Sequence, residues 1–212
     1  KMGEVNIAVI EKGSEVGMHS LSGAVLDPRA LRELMPDFET RGFPIEKKVE
    51  ADSVYFLTHA GKLKFPVTPP PLQNHGNYVI SLNRFAKWLG EKVEAAGITL
   101  FTGFAGSELI IDGNRVTGVR TDDKGVDKRN EKKANFEPGY DLKAKVVILA
   151  EGTRGSLTKQ LVARFNLAHD RNPQTYGVGV KELWELPAGR LAPGAVVYTM
   201  GWPLTSKEYG KE

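Results

Sequence analysis

Apolar residues along this chain fall into short unbroken runs and into stripes with a helical period, and the two predict different elements. Val146 to Ala150 is five apolar residues with no polar break, ending at Glu151-Gly152. A short run rich in β-branched residues and bounded by turn signals predicts a fully buried strand of a parallel sheet. Val5 to Ile10 reads the same way near the start of the chain, and Ile98 to Thr102 gives another strand. The helical stripes are Leu31, Leu34 and Met35 behind an Asp27 cap and Pro28, then Leu82, Phe85, Leu89, Val93 and Ala96 before a Gly97 stop. A third stripe, Leu157, Leu161 and Phe165, starts after Gly152 to Gly155, with Ser156 as the expected cap. Strands and helices in alternation predict a layered α/β domain.

Alternation at period two predicts two hairpins. One pairs Val54–Thr58 with Lys62–Phe65 around Ala60-Gly61, and the other spans Ser107 to Thr121 with its turn at Asp112-Gly113-Asn114. Tyr176–Leu183 and Ala195–Thr199 read as two further strands, expected to be antiparallel in a second layer. The charged stretch 122–138 reads as a solvated surface insertion. Phe65 to Leu72 holds four prolines in eight residues, so it can form neither a helix interior nor a central strand. It reads either as an apolar ridge facing lipid or a partner, or as a loop packed on its own domain.

Composition narrows the chemistry. With 29 basic against 26 acidic residues the net charge is only +3, and it is dispersed, which leaves no basic face for nucleic acid. The absence of cysteine excludes disulfides, thiolate metal sites, cysteine nucleophiles and iron–sulfur ligation by this chain. No apolar run reaches the roughly 18–20 residues that span a bilayer. The four histidines, His19, His59, His75 and His169, stand at no metal-ligand spacing, and neither a nucleophile elbow nor a phosphate-loop lysine is present. No side chain is therefore assigned a catalytic or metal-binding role, and a bound cofactor is expected to carry any reaction. Both ends of the chain look abrupt, which suggests a piece of a longer protein.

Several ordered motifs resemble the electron transfer flavoprotein–ubiquinone oxidoreductase family. They are Val9 to Pro28 (VIEKGSEVGMHSLSGAVLDP), Asn74 to Ile80 (NHGNYVI), Ala150 to Ser156 (AEGTRGS), Pro173 to Trp184 (PQTYGVGVKELW) and Gly201 to Leu204 (GWPL). The resemblance implies a glutathione-reductase-type FAD-binding domain, here partial, with an attached antiparallel quinone-binding sheet. Residues 1–53 and 81–170 would belong to the first, and 54–80 and 171–212 to the second. It implies FAD as cofactor and a four-iron iron–sulfur cluster elsewhere in the family protein. Electron transfer flavoprotein and ubiquinone are the implied partners, with monotopic attachment to a bacterial or mitochondrial inner membrane.

Carried onto this sequence, Glu11 resembles the acid that holds the adenosine ribose, and Lys12, Gly17, His19, Ser20 and Gly23 the flavin-side loop. Phe104 and Ala105 match the backbone near the adenine, and Ala150, Glu151, Gly152 and Arg154 the second FAD turn. Phe65, Pro66, Val67, Pro69, Pro70 and Leu72 match the segment facing lipid and quinone. The family's first strand and G-x-G-x-x-G turn would precede Lys1, and its Tyr-Gly-Gly-Ser continuation is broken at Gly210-Lys211-Glu212. The isolated chain is accordingly expected to bind FAD weakly or not at all. The alternatives are a FixC-like or geranylgeranyl-reductase-like flavoprotein, or a non-catalytic binding module of the same fold. The reading requires the strand ends at Glu11 and Gly152 to lie side by side.

Overall fold

The computed structural model describes residues 5–129 and 131–204; the Gly210-Lys211-Glu212 departure lies outside them. In chain order the elements are β1 (Ala8–Glu11), β2 (Ala24–Leu26), α1 (Arg29–Leu34), β3 (Ile45–Lys48), β4 (Ala51–Leu57), β5 (Lys62–Lys64), β6 (Tyr78–Ile80), α2 (Leu82–Ala95), β7 (Thr99–Thr102), β8 (Gly106–Asp112), β9 (Arg115–Thr121), β10 (Lys124–Val126), β11 (Lys132–Glu137), β12 (Asp141–Lys143), α3 (Ser156–Phe165) and β13 (Ala195–Gly201). Single 3₁₀ turns stand at Phe38–Arg41 and Pro70–Leu72. Two compact units divide the chain, one within Lys1–Met18 and Gly90–Gly179, the other within His19–Leu89 and Val180–Glu212.

In the first unit β1 and β7 pair in parallel, from Ala8 opposite Thr99 to Glu11 opposite Thr102. The expected hairpin forms as β8 and β9, and β12 extends it to a three-stranded meander. Leu157 of α3 and Val119 of β9 are buried beneath that meander. Gly106 is the point where they meet. A Cβ there would stand 2.8 Å from Leu157 Cδ1, 3.1 Å from Val119 Cγ1 and 3.6 Å from Ile10 Cδ1. Only glycine lets the end of β1, the start of β8 and α3 converge at that density.

Four expectations for this unit fail. Val146–Ala150 is assigned to no strand, and Ile148 is 84% exposed. The letters describe a strand, but a strand is stable only against a partner, and none of the described residues supplies one. Val5–Ile10 is likewise not buried: the strand is Ala8–Glu11, its only partner among the described residues is β7, and Val5 and Ile7 are exposed. The side-by-side strand ends required above do not arise as a ladder. No strand ends at Gly152; what converges in this unit is Ile10 of β1 and Leu157 of α3, both beside Gly106. The insertion 122–138, finally, is more ordered than a solvated loop, because β10 and β11 pair antiparallel.

In the second unit an aromatic core forms where Phe43 meets Phe38, Tyr78, Phe85 and Trp88 edge-on, at centroid distances of 4.9–5.9 Å. Such contacts add about 0.5–1.5 kcal/mol each to the burial of the rings. Leu31 and Ile80 complete the cluster. Trp88 donates its indole N–H to the Arg41 carbonyl at 2.9 Å, which satisfies the one polar atom that its burial would strand. Trp88, outside the predicted stripe of α2, is buried, whereas Leu34, within the predicted stripe of α1, faces solvent.

Two sheets serve this unit, β2-β6-β3 and β13-β4-β5. The hairpin β4/β5 is antiparallel as expected, but β13 joins β4 in parallel along its full length, Ala195 opposite Ala51 to Gly201 opposite Leu57. The attached sheet is thus mixed rather than antiparallel. Tyr176–Leu183 is no strand; Val178 is 98% exposed, for the same want of a partner.

Candidate functional site

The first candidate corner lies where β1 and β7 leave their ladder. The Glu11 carboxylate turns back on its own strand end, and Oε1 accepts the Gly13 N–H at 2.6 Å. A Cβ on Gly13 would press to 2.9 Å from the Glu15 carbonyl, so the turn needs glycine. Gly103 N–H donates to the Gly13 carbonyl at 2.7 Å, and Phe104 N–H to the Glu11 carbonyl at 3.0 Å. Glu11 and Phe104, assigned separately in the sequence, are therefore one hydrogen-bonded corner. Ala105 follows, its carbonyl accepting Asp122 N–H at 2.9 Å. Lys12 is exposed, and Gly17 is buried with a φ of 83°.

Sequence reasoning missed the wall of this corner. Lys124 Nζ stands 3.7 Å from the Phe104 ring centroid, and the Tyr140 ring lies 6.3 Å from it on centroids. Thr121, 2% exposed, accepts Tyr140 N–H on its hydroxyl and holds that segment to β9. No local pattern links Lys124 to Phe104, because the contact depends on the β10/β11 hairpin folding back.

The second corner is the turn from Ala150 into α3. Ser156 is not the cap; it is the first helical residue, behind Gly155. Glu151 does the capping. Its carboxylate accepts Leu157 N–H at 3.1 Å and Thr158 N–H at 2.8 Å, and the Thr158 hydroxyl at 2.9 Å. Partial burial pushes the Glu151 carboxyl up, but the N–H groups of Thr158, Leu157 and Ser156 with the Thr158 hydroxyl outweigh it. The group is held below the ordinary carboxylate value. A Cβ on Gly155 would fall 2.5 Å from the Glu151 side chain, so the glycine makes room for the cap. Gly152, with φ 75° and nothing within 4 Å of its would-be Cβ, leaves its backbone open to a ligand. Arg154 lies 5.1 Å over the Tyr176 ring.

The remaining assigned residues belong to the second unit. His19 is exposed, Ser20 half-buried, and Gly23 has a φ of 78° with its carbonyl accepting the Lys181 ammonium at 2.7 Å. The segment Phe65, Pro66, Val67, Pro69, Pro70 and Leu72 crosses one end of the β13-β4-β5 sheet, with Phe65 N–H bonded to the Val54 carbonyl. Val67 is 70% exposed. Beyond it, Met200, Phe56 and Leu63 are register partners across the three strands, so they share one face, and all three are exposed. Among the described residues no group of His, Cys, Asp or Glu could hold a metal ion, and no helix is long and apolar enough to cross a membrane.

At the first corner the Glu11 carboxylate, with Oε1 on Gly13, has the chemistry to accept a ribose hydroxyl of an adenine dinucleotide on Oε2; at the second corner Gly152 is exposed, with no atom near its would-be Cβ. The first turn of α3 fits less well as a phosphate seat, since Glu151 already takes two of its N–H groups.

Residues 8–175 match the FAD binding domain family, and residues 176–212 match the ETF-QO, ubiquinone-binding family. The chain is 45% identical over 208 residues to the mitochondrial electron transfer flavoprotein-ubiquinone oxidoreductase of Dictyostelium discoideum, covering 98% of this chain and 34% of that one. It is 45% identical over 207 residues to a probable electron transfer flavoprotein-ubiquinone oxidoreductase of Acinetobacter baylyi, covering 95% of this chain and 36% of that one. Among solved structures, the FAD-dependent chondrochloren halogenase CndH of a myxobacterium aligns at 18% identity and a TM-score of 0.46, over 73% of this chain and 33% of its own. The chain spans about a third of the length of the curated relatives it matches.

Proposed function

The chain belongs to the electron transfer flavoprotein–ubiquinone oxidoreductase family, with a partial FAD-binding domain, and from that premise we propose that it forms the nucleotide-holding and quinone-facing part of such an enzyme. The whole protein would take electrons from reduced electron transfer flavoprotein and deliver them to ubiquinone at a membrane surface. FAD, when bound, supplies the electron-carrying ring. The four-iron cluster lies outside this chain's reach, since no cysteine is present to ligate it.

In this reading Glu11 Oε2 accepts a ribose hydroxyl, while Phe104 and Ala105 offer backbone to the adenine. Lys12, Gly17, His19, Ser20 and Gly23 border the flavin side, and Ala150, Gly152 and Arg154 flank the second turn, which Glu151 holds in shape. We assign residues 1–53 and 81–170 to the FAD-binding part and 54–80 and 171–212 to the quinone-binding part. This division by function is separate from the packing units, since residues 19–53 pack with the second unit. The apolar ridge and the Met200–Phe56–Leu63 row beside it would rest on the lipid surface.

The observation that carries the reading is the Glu11–Gly13–Phe104 corner, a carboxylate held at the end of a parallel strand by a tight glycine turn. Its test is Glu11→Ala in the full-length protein. Loss of a charge-assisted bond of about 1.5–3 kcal/mol should weaken FAD binding by about ten- to a hundredfold. Flavin titration giving an unchanged affinity would sink the assignment. For the ridge, the pair Phe65→Asp and Val67→Asp should reduce flotation with liposomes while leaving flavin content intact, and unaltered flotation would reduce the ridge to a packed loop.

A further inference from the structure

The ridge poses a problem that its own backbone does not solve. Pro66, Pro69, Pro70 and Pro71 carry no N–H, so half of the segment Phe65 to Leu72 has no donor with which to bond to a sheet. Beyond the Phe65 N–H on the Val54 carbonyl, its seat depends on side chains, and most of these converge on one strand residue. Asp52, half-buried on β4, accepts Asn74 N–H on Oδ2 at 2.8 Å and the Asn74 Nδ2 on Oδ1 at 3.0 Å. The same Nδ2 lies 3.0 Å from the Leu72 carbonyl and 2.7 Å from the Tyr198 hydroxyl on β13. The Thr68 hydroxyl reaches the Asp52 carbonyl at 3.4 Å, and Gln73 Nε2 ties back to the Thr68 carbonyl at 3.0 Å. Aspartate is disfavoured within a strand, so an acid in this position is a departure that its neighbours have to compensate.

We propose that Asp52, acting through Asn74 and Tyr198, is a positioning residue for ubiquinone. It fixes the ridge on the β4 and β13 strands in the one pose in which the apolar face meets quinone and lipid together. The inference rests on the quinone-facing reading of the ridge given above. Tyr198 lies within the segment that matches the ubiquinone-binding family, and Asp52 and Asn74 do not, so the brace ties the ridge to that segment. The chemistry is specific to a carboxylate. Asparagine at 52 would still accept the Asn74 N–H on one oxygen, but its amide would oppose the Asn74 amide, donor to donor.

The test uses the full-length, flavin-loaded protein with a short-chain ubiquinone as probe. Asp52→Asn should raise the KM for that quinone about fivefold with kcat within about twofold, and leave turnover with a soluble dye that accepts from the flavin unchanged. Tyr198→Phe, which removes one acceptor and leaves Asp52 on Asn74, should give a smaller rise in the same direction. Asn74→Asp, which sets a carboxylate against both Asp52 and the Leu72 carbonyl, should raise the KM at least as much as Asp52→Asn, again with dye turnover unchanged. A parallel fall in dye turnover and quinone turnover, or a quinone KM unchanged in both variants, would overturn the proposal. Phe65→Asp separates the two layers of argument. If it leaves the quinone KM and liposome flotation unchanged, the ridge reading falls and the brace with it. If it moves them while Asp52→Asn does not, only the brace falls.

Discussion

Glu151 shows how one side chain can set the chemistry of a turn. A carboxylate spanning the first N–H groups of a helix satisfies donors that would otherwise need water or a ligand, and it lies where the helix dipole favours negative charge. Glu151→Ala should therefore cost about 1 kcal/mol, the usual worth of a lost cap. The pH dependence follows from the direction of the shift. The carboxyl is depressed in the folded protein, so its contribution is fully present above its ordinary value of 4.5 and lost as the pH falls through the folded value. Thermal melts of the native and Glu151→Gln proteins should differ at neutral pH and converge at acid pH. A difference that persists in acid would show that the carboxylate charge is not what stabilises the turn. This residue also marks a limit of sequence reading. Ser156 carries the familiar signature of a cap, whereas a glutamate five residues earlier carries none. Only the close approach that Gly155 permits lets Glu151 take the position.

At the scale of elements, what could be read depended on how far apart the partners lie in the chain. The hairpins β4/β5 and β8/β9 and the helix α2 are specified within windows of about twenty residues, where periodicity and turn chemistry act together. β13 lies parallel to β4 across more than half the chain, and no local signal carries such pairing. β12 escaped notice for a related reason: three residues, Asp141–Lys143, have no period to detect. Its attachment depends on a close approach at Gly118, where a Cβ would stand 2.3 Å from the Leu142 carbonyl oxygen. Gly118→Val should detach β12 from the meander at a cost of about 1–3 kcal/mol or more, since the obstacle is backbone and cannot swing aside. Hydrogen exchange would check this through faster exchange at Leu142 to Ala144 with β8/β9 still protected. Uniform loss across the meander would instead mean that β12 is integral to it.

At the scale of the whole molecule, the candidate site was legible where single residues carry the chemistry, as at Glu11 and Gly152. It was not legible where packing brings strangers together, as at Lys124 on Phe104 or Asn74 on Tyr198. The two failed strands have a consequence of their own. Val146 and Ile148 present apolar side chains to water on a run that no described residue pairs, and both edges of the two-stranded β1/β7 ladder are open among the described residues as well. Exposed, β-branched, uncharged segments are templates for strand addition by another chain. The 212-residue chain, purified by itself, should therefore self-associate as its concentration rises. Replacing Val146 and Ile148 by lysine should suppress that association, because each new strand would then bring like charges into register. Sedimentation velocity over a range of concentrations distinguishes the outcomes. Association that survives both lysines would move its origin to the other exposed apolar face, the Met200–Phe56–Leu63 row, where lysine at Leu63 should then abolish it.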